Sequence, residues 1–203
     1  MTDIREMNAL AVRDSMDIVK QVQVTDLTRP TPCAGWTLAD LLGHMTVQHR
    51  GFAAAARGDG AQLAHWEFTA AGDDAVERYL AASEDVLAAF AALDDDLEFV
   101  LDLPEFKIDP PRFPARRAIG FHFIDYVVHA WDVAATLGVP YVLRPELEEP
   151  ALEVALAVPN EDNRLADGAA FVPALDGADS GSPLDRVLRH LGRTPDWRPD
   201  EAV

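Results

Sequence analysis

The chain has 203 residues, of which 49% are hydrophobic and 26% charged, which is typical of a globular protein and not of a disordered one. Its 35 acidic and 17 basic residues give a formal net charge of −18, which disfavours nucleic acid and anionic lipid as partners. The single cysteine excludes a disulfide framework and a cysteine-based zinc finger. Since no apolar run is long enough to span a membrane and the N-terminus is unlike a signal peptide, we expect one domain, residues 1–203, in the cytoplasm.

Helical periodicity marks three helices in the first half of the chain. The first lies within the first 25 residues. Thr37 and Asp40 form a capping-box pattern, which predicts a second helix from Thr37 to about Arg57. A third amphipathic helix is predicted at about residues 73–93. Alternating apolar residues between Leu97 and Leu103 then predict a short strand, and a second short strand is possible at Phe106–Ile108.

The second half of the chain contains one long helix and a loop-rich tail. The long helix begins near Pro114 and ends at Leu137, before Gly138. Further helices are predicted at about 146–157 and 183–191. The sum is a mainly all-α protein: a bundle of four principal helices with a small hairpin, in which residues 1–158 form the core and residues 159–203 a loop-rich C-terminal tail.

The long helix near residues 118–137 carries the titratable residues of interest. It is apolar on almost every side, as buried helices are, yet five polar residues fall within one wedge of about 80° on the helical wheel: His122, Asp125, His129, Asp132 and Thr136. Buried titratable groups are costly unless they are paired or bind a metal. Asp125 and His129, one turn apart, are therefore either a hydrogen-bonded ion pair or two ligands of a metal ion.

Other candidates lie outside this helix. His44, on the second helix, is either a third metal ligand or a partly exposed surface histidine. Cys33 is either an activated thiol near a helix N-terminus or a small buried apolar residue. Three arginines before the long helix either attract an anionic substrate or offset the acidic surface: Arg112, Arg116 and Arg117.

Three sequence blocks resemble a known family. The segment Thr31–His44 resembles the PC-x-GW-x-x-x-DLL-x-H opening of the mycothiol-dependent maleylpyruvate isomerase N-terminal family, which belongs to the DinB-like bundles. The segment Asp125–Ala134 resembles its second signature, a carboxylate four residues before the histidine of H-x-WD-x-A. The segment Leu191–Trp197 resembles the LGR-x-P-x-W ending of an actinobacterial branch of uncharacterised metal-binding proteins.

The resemblance implies a DinB-like metal-binding four-helix bundle that holds a divalent metal, with zinc favoured over nickel and ferrous iron. The implied ligands are His44, Asp125 and His129. It also implies mycothiol as a co-substrate, and a homodimer, as in many DinB-like proteins. Two departures stand out. The isomerase has glutamate where this chain has Asp125, and it has a sizeable C-terminal domain, for which we expect residues 159–203 to be too few.

These observations predict a divalent-metal-binding protein that acts as a mycothiol transferase or thiol-assisted isomerase on a small electrophile. In that function His122 orients a ligand or serves as an acid or base, and Asp132 either supports a ligand or makes a simple helix hydrogen bond. One alternative is a non-catalytic metal or small-ligand binding protein for sequestration or resistance. A second is a plain bundle whose histidines only form hydrogen bonds in the core and which acts through protein contacts.

Overall fold

The computed structural model describes residues 3–106, 109–161, 164, 171–177 and 179–199. Within them, four long helices form a bundle in which α1 and α2 each pack against both α3 and α4. Their bounds are close to those predicted from periodicity: α1 (Ile4–Val19), α2 (Leu38–Ala56), α3 (Ala75–Ala91) and α4 (Ala115–Leu137). The expectation of a mainly all-α four-helix bundle is confirmed. None of the described helices is both long and apolar enough to cross a membrane.

Two shorter helices and a small hairpin complete the described structure. Helix α5 (Pro145–Leu156) packs against α4 and against α6 (Pro183–His190), so the C-terminal segment lies on the bundle. Strands β1 (Val100–Asp102) and β2 (Arg112–Pro114) pair antiparallel. The second strand is therefore not at Phe106–Ile108: Phe106 ends a short 3₁₀ turn, and residues 107–108 lie outside the described part of the chain.

Local sequence explains where the site-bearing helices begin and end. The Thr37 side chain accepts from the Asp40 amide and Asp40 accepts from the Thr37 amide, so the predicted capping box starts α2. Gly138, with φ of 71°, ends α4 in the left-handed conformation that glycine adopts without strain. Between α2 and α4, the Tyr126 hydroxyl donates to the Met45 carbonyl, which fixes the relative height of the two helices.

A chain of buried hydrogen bonds crosses all four long helices. Asn8 Oδ1 on α1 lies 2.7 Å from His122 Nδ1 on α4, and His122 Nε2 lies 3.1 Å from His49 Nδ1 on α2. His49 Nε2 is in turn 2.9 Å from the Ser83 hydroxyl on α3. Burial lowers the pKa of His122 to about 3 and that of His49 well below its ordinary value, so both rings are neutral. Both nitrogens of each ring take part in this series of hydrogen bonds, and one proton per ring is enough to form them.

This arrangement predicts that His122→Gln changes how stability depends on pH. Below the unfolded-state pKa of about 6.5, the unfolded chain binds a proton at His122 that the folded protein does not accept until about pH 3. As the pH falls through this range, His122 therefore lowers the wild-type free energy of unfolding by about 1.4 kcal/mol per pH unit, and the variant has no such loss. The wild-type advantage in free energy of unfolding should shrink by about 2 kcal/mol between pH 7.5 and 5.0, as measured by urea unfolding. A constant advantage would contradict neutral burial, and His65→Gln, outside this layer, is the control.

Candidate metal centre

Three of the predicted residues meet between α2 and α4. His129 Nε2 lies 3.3 Å from Asp125 Oδ1, and His44 Nε2 lies 3.9 Å from Asp125 Oδ2. One ligand atom from each of the three residues lies within 4.8 Å of the other two. Ligands about 2.0–2.1 Å from a tetrahedral zinc ion are about 3.3–3.4 Å apart, so small side-chain shifts would suffice to close this group around an ion. The donor set of two imidazoles and one carboxylate matches the three-ligand sites that leave a position open for substrate.

His129 has both ring nitrogens engaged by carboxylates. Its Nδ1 is 2.8 Å from Asp132 Oδ2, while Nε2 faces Asp125. Burial alone would lower the pKa of His129, but the two carboxylates outweigh it and raise the pKa well above its ordinary range. The two carboxylates thus favour a positive charge at the His129 ring, and Asp125 favours it at Nε2. With the proton on Nδ1 donated to Asp132, Nε2 can present a lone pair to a metal, as histidine ligands with a carboxylate partner do.

The other two residues of the group have pKa values that suit ligands. The pKa of His44 is lowered to about 4, chiefly by burial, so its imidazole is neutral and carries a free lone pair. Asp125 is ionised: although burial opposes it, the neighbouring His129 and His44 lower its pKa to about 2. Their side chains are 24% and 21% exposed, so this edge of the centre is open to solution, whereas His129 is almost fully buried.

A second group of possible ligands shares His129 but already contains a cation. Cys33, His129 and Asp132 also bring one ligand atom each within 4.8 Å of the others. The guanidinium of Arg193 lies among them, with Nε 3.0 Å from Asp132 Oδ1 and Nη2 3.1 Å from Cys33 Sγ. The Cys33 thiol donates to Asp132, and its pKa is raised, chiefly by burial. Cys33 is therefore a thiol and not an activated thiolate, and the group with His44 is the better metal site.

Trp36, Gln48 and Glu105 border the open edge of the centre. The sequence did not predict that these three residues lie together. The Trp36 ring lies 5.1 Å from the His44 ring, centroid to centroid. Gln48, one turn after His44, donates from Nε2 to Glu105 Oε2 at 2.6 Å. Glu105 is an exposed residue, but desolvation of its carboxyl end raises its pKa to about 7; Gln48 opposes the shift and the charge of Asp125 adds to it.

The structure brings together His44, Asp125, His129 and Asp132, while the hydrogen bonds of His122 go to other residues. His122 shares the polar wedge of α4, yet its ring is fully engaged by Asn8 and His49 inside the bundle. These two hydrogen bonds occupy both ring nitrogens, and the role of His122 as an acid, base or ligand-orienting group stays a prediction. Glu105 and Arg193 were not predicted. Glu105 lies in an irregular connector. Arg193 belongs to the LGR-x-P-x-W motif, and the sequence of this motif does not show which residue the arginine contacts.

Comparison with known proteins identifies the family. Residues 9–134 match the family model described as the mycothiol maleylpyruvate isomerase N-terminal domain. Two curated relatives, uncharacterized proteins Rv0738 and MT0763 of two strains of Mycobacterium tuberculosis, are each 28% identical over 181 residues. These alignments cover 87% of this chain and 90% of either relative.

Two solved structures share the fold. Crystal structures of a mutant and of the unmutated mycothiol-dependent maleylpyruvate isomerase match with TM-scores of 0.66 and 0.62, each at 15% sequence identity. Each match covers 97% of this chain and 94% of that one. The expectation that this chain is too short for the C-terminal part of the isomerase is therefore wrong, since the fold match extends over nearly the whole isomerase chain. The chain belongs to the mycothiol maleylpyruvate isomerase N-terminal domain family.

Proposed function

We propose that this protein is a divalent-metal-dependent enzyme that either transfers mycothiol to a small electrophile or isomerises such an electrophile with the help of mycothiol. The observation that carries the proposal is the convergence of His44, Asp125 and His129 at one open edge of a buried centre. Two imidazoles and one carboxylate favour zinc, although nickel and ferrous iron accept the same donors. The support for mycothiol is the family, whose name includes it, together with the solved isomerase of similar fold, which is mycothiol-dependent.

The metal, when bound, would lower the pKa of a coordinated thiol and so supply a thiolate at neutral pH. The protein contributes the geometry. Asp132 holds the His129 ring through Nδ1, so that Nε2 points toward Asp125 and His44. Because His44 and Asp125 are partly exposed, a thiol can approach from solution on their side, while the buried side of the centre excludes water.

Glu105 is the residue that we assign to proton transfer. Its Oε2 is held by Gln48, which leaves Oε1 available to the substrate. With a pKa of about 7, the carboxyl is present in both protonation states at neutral pH, as an acid–base catalyst requires. It would accept the proton of the incoming thiol; when the sulfur adds to one carbon of a carbon–carbon double bond, the π bond breaks and Glu105 would return the proton to the other carbon.

The first prediction from this proposal concerns metal content. Wild-type protein should contain about one zinc, nickel or iron ion per chain by elemental mass spectrometry, and His129→Ala should contain almost none because it loses a ligand. His65→Ala, which changes a histidine outside the centre, is the control and should retain the metal. Absence of metal from wild type after incubation with zinc and nickel would refute the proposal. Metal without turnover of mycothiol and any electrophile would favour the binding-protein alternative.

The second prediction concerns Glu105. In metal-free protein with ¹³C-labelled glutamate, one side-chain carboxyl should titrate near pH 7 by NMR, and Glu105→Gln should remove that signal. Gln48→Ala should raise this pKa, because the hydrogen bond from Gln48 stabilises the carboxylate. Glu105→Gln should also slow mycothiol-dependent turnover by about 10²–10⁴-fold without loss of metal. Glu98→Gln, on the exposed surface, is the control, and a Glu105→Gln enzyme with wild-type turnover would exclude the assigned role.

A further inference from the structure

The C-terminal segment is built so that Arg193 enters the core beside the metal centre. Helix α6 starts at a capping box formed by Ser182 and Asp185 and packs against α5. Gly192 follows with φ of 76°, and a Cβ there would lie 2.2 Å from a methyl of Val172 and 2.9 Å from the Val172 carbonyl. Only glycine allows the chain to turn at this point, and the turn directs the next residue inward.

Arg193 is 6% exposed, and its guanidinium contacts side chains from two other parts of the chain. Its Nε donates to Asp132 Oδ1 at 3.0 Å, and Nη2 donates to Asp132 Oδ2 at 3.2 Å. The same Nη2 lies 3.1 Å from Cys33 Sγ, in the turn before α2. A buried arginine is costly unless its charge is matched, and here the match is a carboxylate with no exposed side-chain surface.

Asp132 connects this arginine to the metal centre. The oxygen that Arg193 contacts through Nη2 is also the acceptor for His129 Nδ1, at 2.8 Å. The contacts therefore run from the C-terminal segment to Asp132, and from Asp132 to a proposed metal ligand. Without Arg193, the carboxylate would lose the fork that fixes its plane, and would be free to rotate away from the imidazole.

We propose that Arg193 is a positioning residue for the metal centre: by fixing Asp132 it fixes the direction of His129, so that the C-terminal segment is part of the site. This inference rests on the proposed function, since it assigns the segment a role toward the metal. The matched family model ends at residue 134 and so does not include Arg193.

Two effects of Arg193 on metal affinity have opposite signs, and this allows a decisive test. Its positive charge disfavours a cation nearby, so removal of charge alone would tighten binding. Its fork geometry orders Asp132 and His129, so removal of the fork would weaken binding. Arg193→Lys keeps the charge but not the fork, whereas Arg193→Met removes both. If Arg193 acts by positioning, both variants bind more weakly; if it acts only through charge, the lysine variant resembles wild type and the methionine variant binds more tightly.

The experiment measures zinc affinity by competition with a chromophoric chelator on the full-length protein. We expect Arg193→Lys and Arg193→Met each to weaken zinc binding by about 10–100-fold, the loss seen when partners of metal-ligating histidines are removed. Arg198→Met is the matched control, since Arg198 is an exposed arginine of the same segment whose side chain, among the described residues, donates only to the Trp197 carbonyl. Urea unfolding of every variant identifies loss of fold, and the lysine variant carries the test if the methionine variant does not fold.

A second measurement separates this inference from the proposed function. In metal-free protein with ¹⁵N-labelled histidine, the His129 Nδ1–H proton should be protected from exchange by Asp132, and both Arg193 variants should lose this protection. If wild type binds no zinc, the proposed function fails, and this signal alone decides the positioning role. Unchanged zinc affinity in Arg193→Lys, or a protected Nδ1–H in both variants, would overturn the inference.

Discussion

Asp132 is an ionised carboxylate buried entirely inside the protein, and the surrounding structure is arranged to compensate its charge. Although burial opposes ionisation, the positive charge of Arg193 lowers the pKa of Asp132, and hydrogen bonds from His129 and Arg193 add to the effect. The Cys33 thiol supplies a further donor. The partners come from the turn before α2, from α4 and from the C-terminal segment, so one carboxylate holds together parts of the chain that are distant in sequence. A buried pair of this kind is costly to break, because either member alone is an uncompensated charge.

Most of the fold could be predicted from the sequence because its signals are local. The start of α2 follows from the Thr37–Asp40 capping box, and the end of α4 follows from Gly138. The second strand could not be located in this way. Residues 112–114 pair with β1 through tertiary contact, with Phe113 opposite Leu101, and three residues are too few to show a period.

The candidate site could be predicted only as far as one helix reveals it. The wheel shows that His122, Asp125, His129 and Asp132 share a wedge of α4, but it cannot show what faces each of them. His122 meets Asn8 and His49 and becomes part of a neutral hydrogen-bonded layer, while Asp125 and His129, one and two turns further along, meet His44. The difference arises from the neighbouring helices, whose relative heights depend on contacts such as Tyr126 with Met45.

The side chains of the candidate centre come from two kinds of structure. The residues that would hold the metal lie on α2 and α4, two long helices of the fold that is shared with the isomerase at 15% identity, and sites built on helices are more precise than sites on loops. Two of the residues that border the open edge come from irregular segments, Trp36 from the turn before α2 and Glu105 from the connector between the strands, whereas Gln48 lies on α2. Loops vary more readily than the helices that they connect. In the proposed function, the choice of electrophile would therefore fall to these irregular segments, while the chemistry would depend on the residues that the bundle supplies.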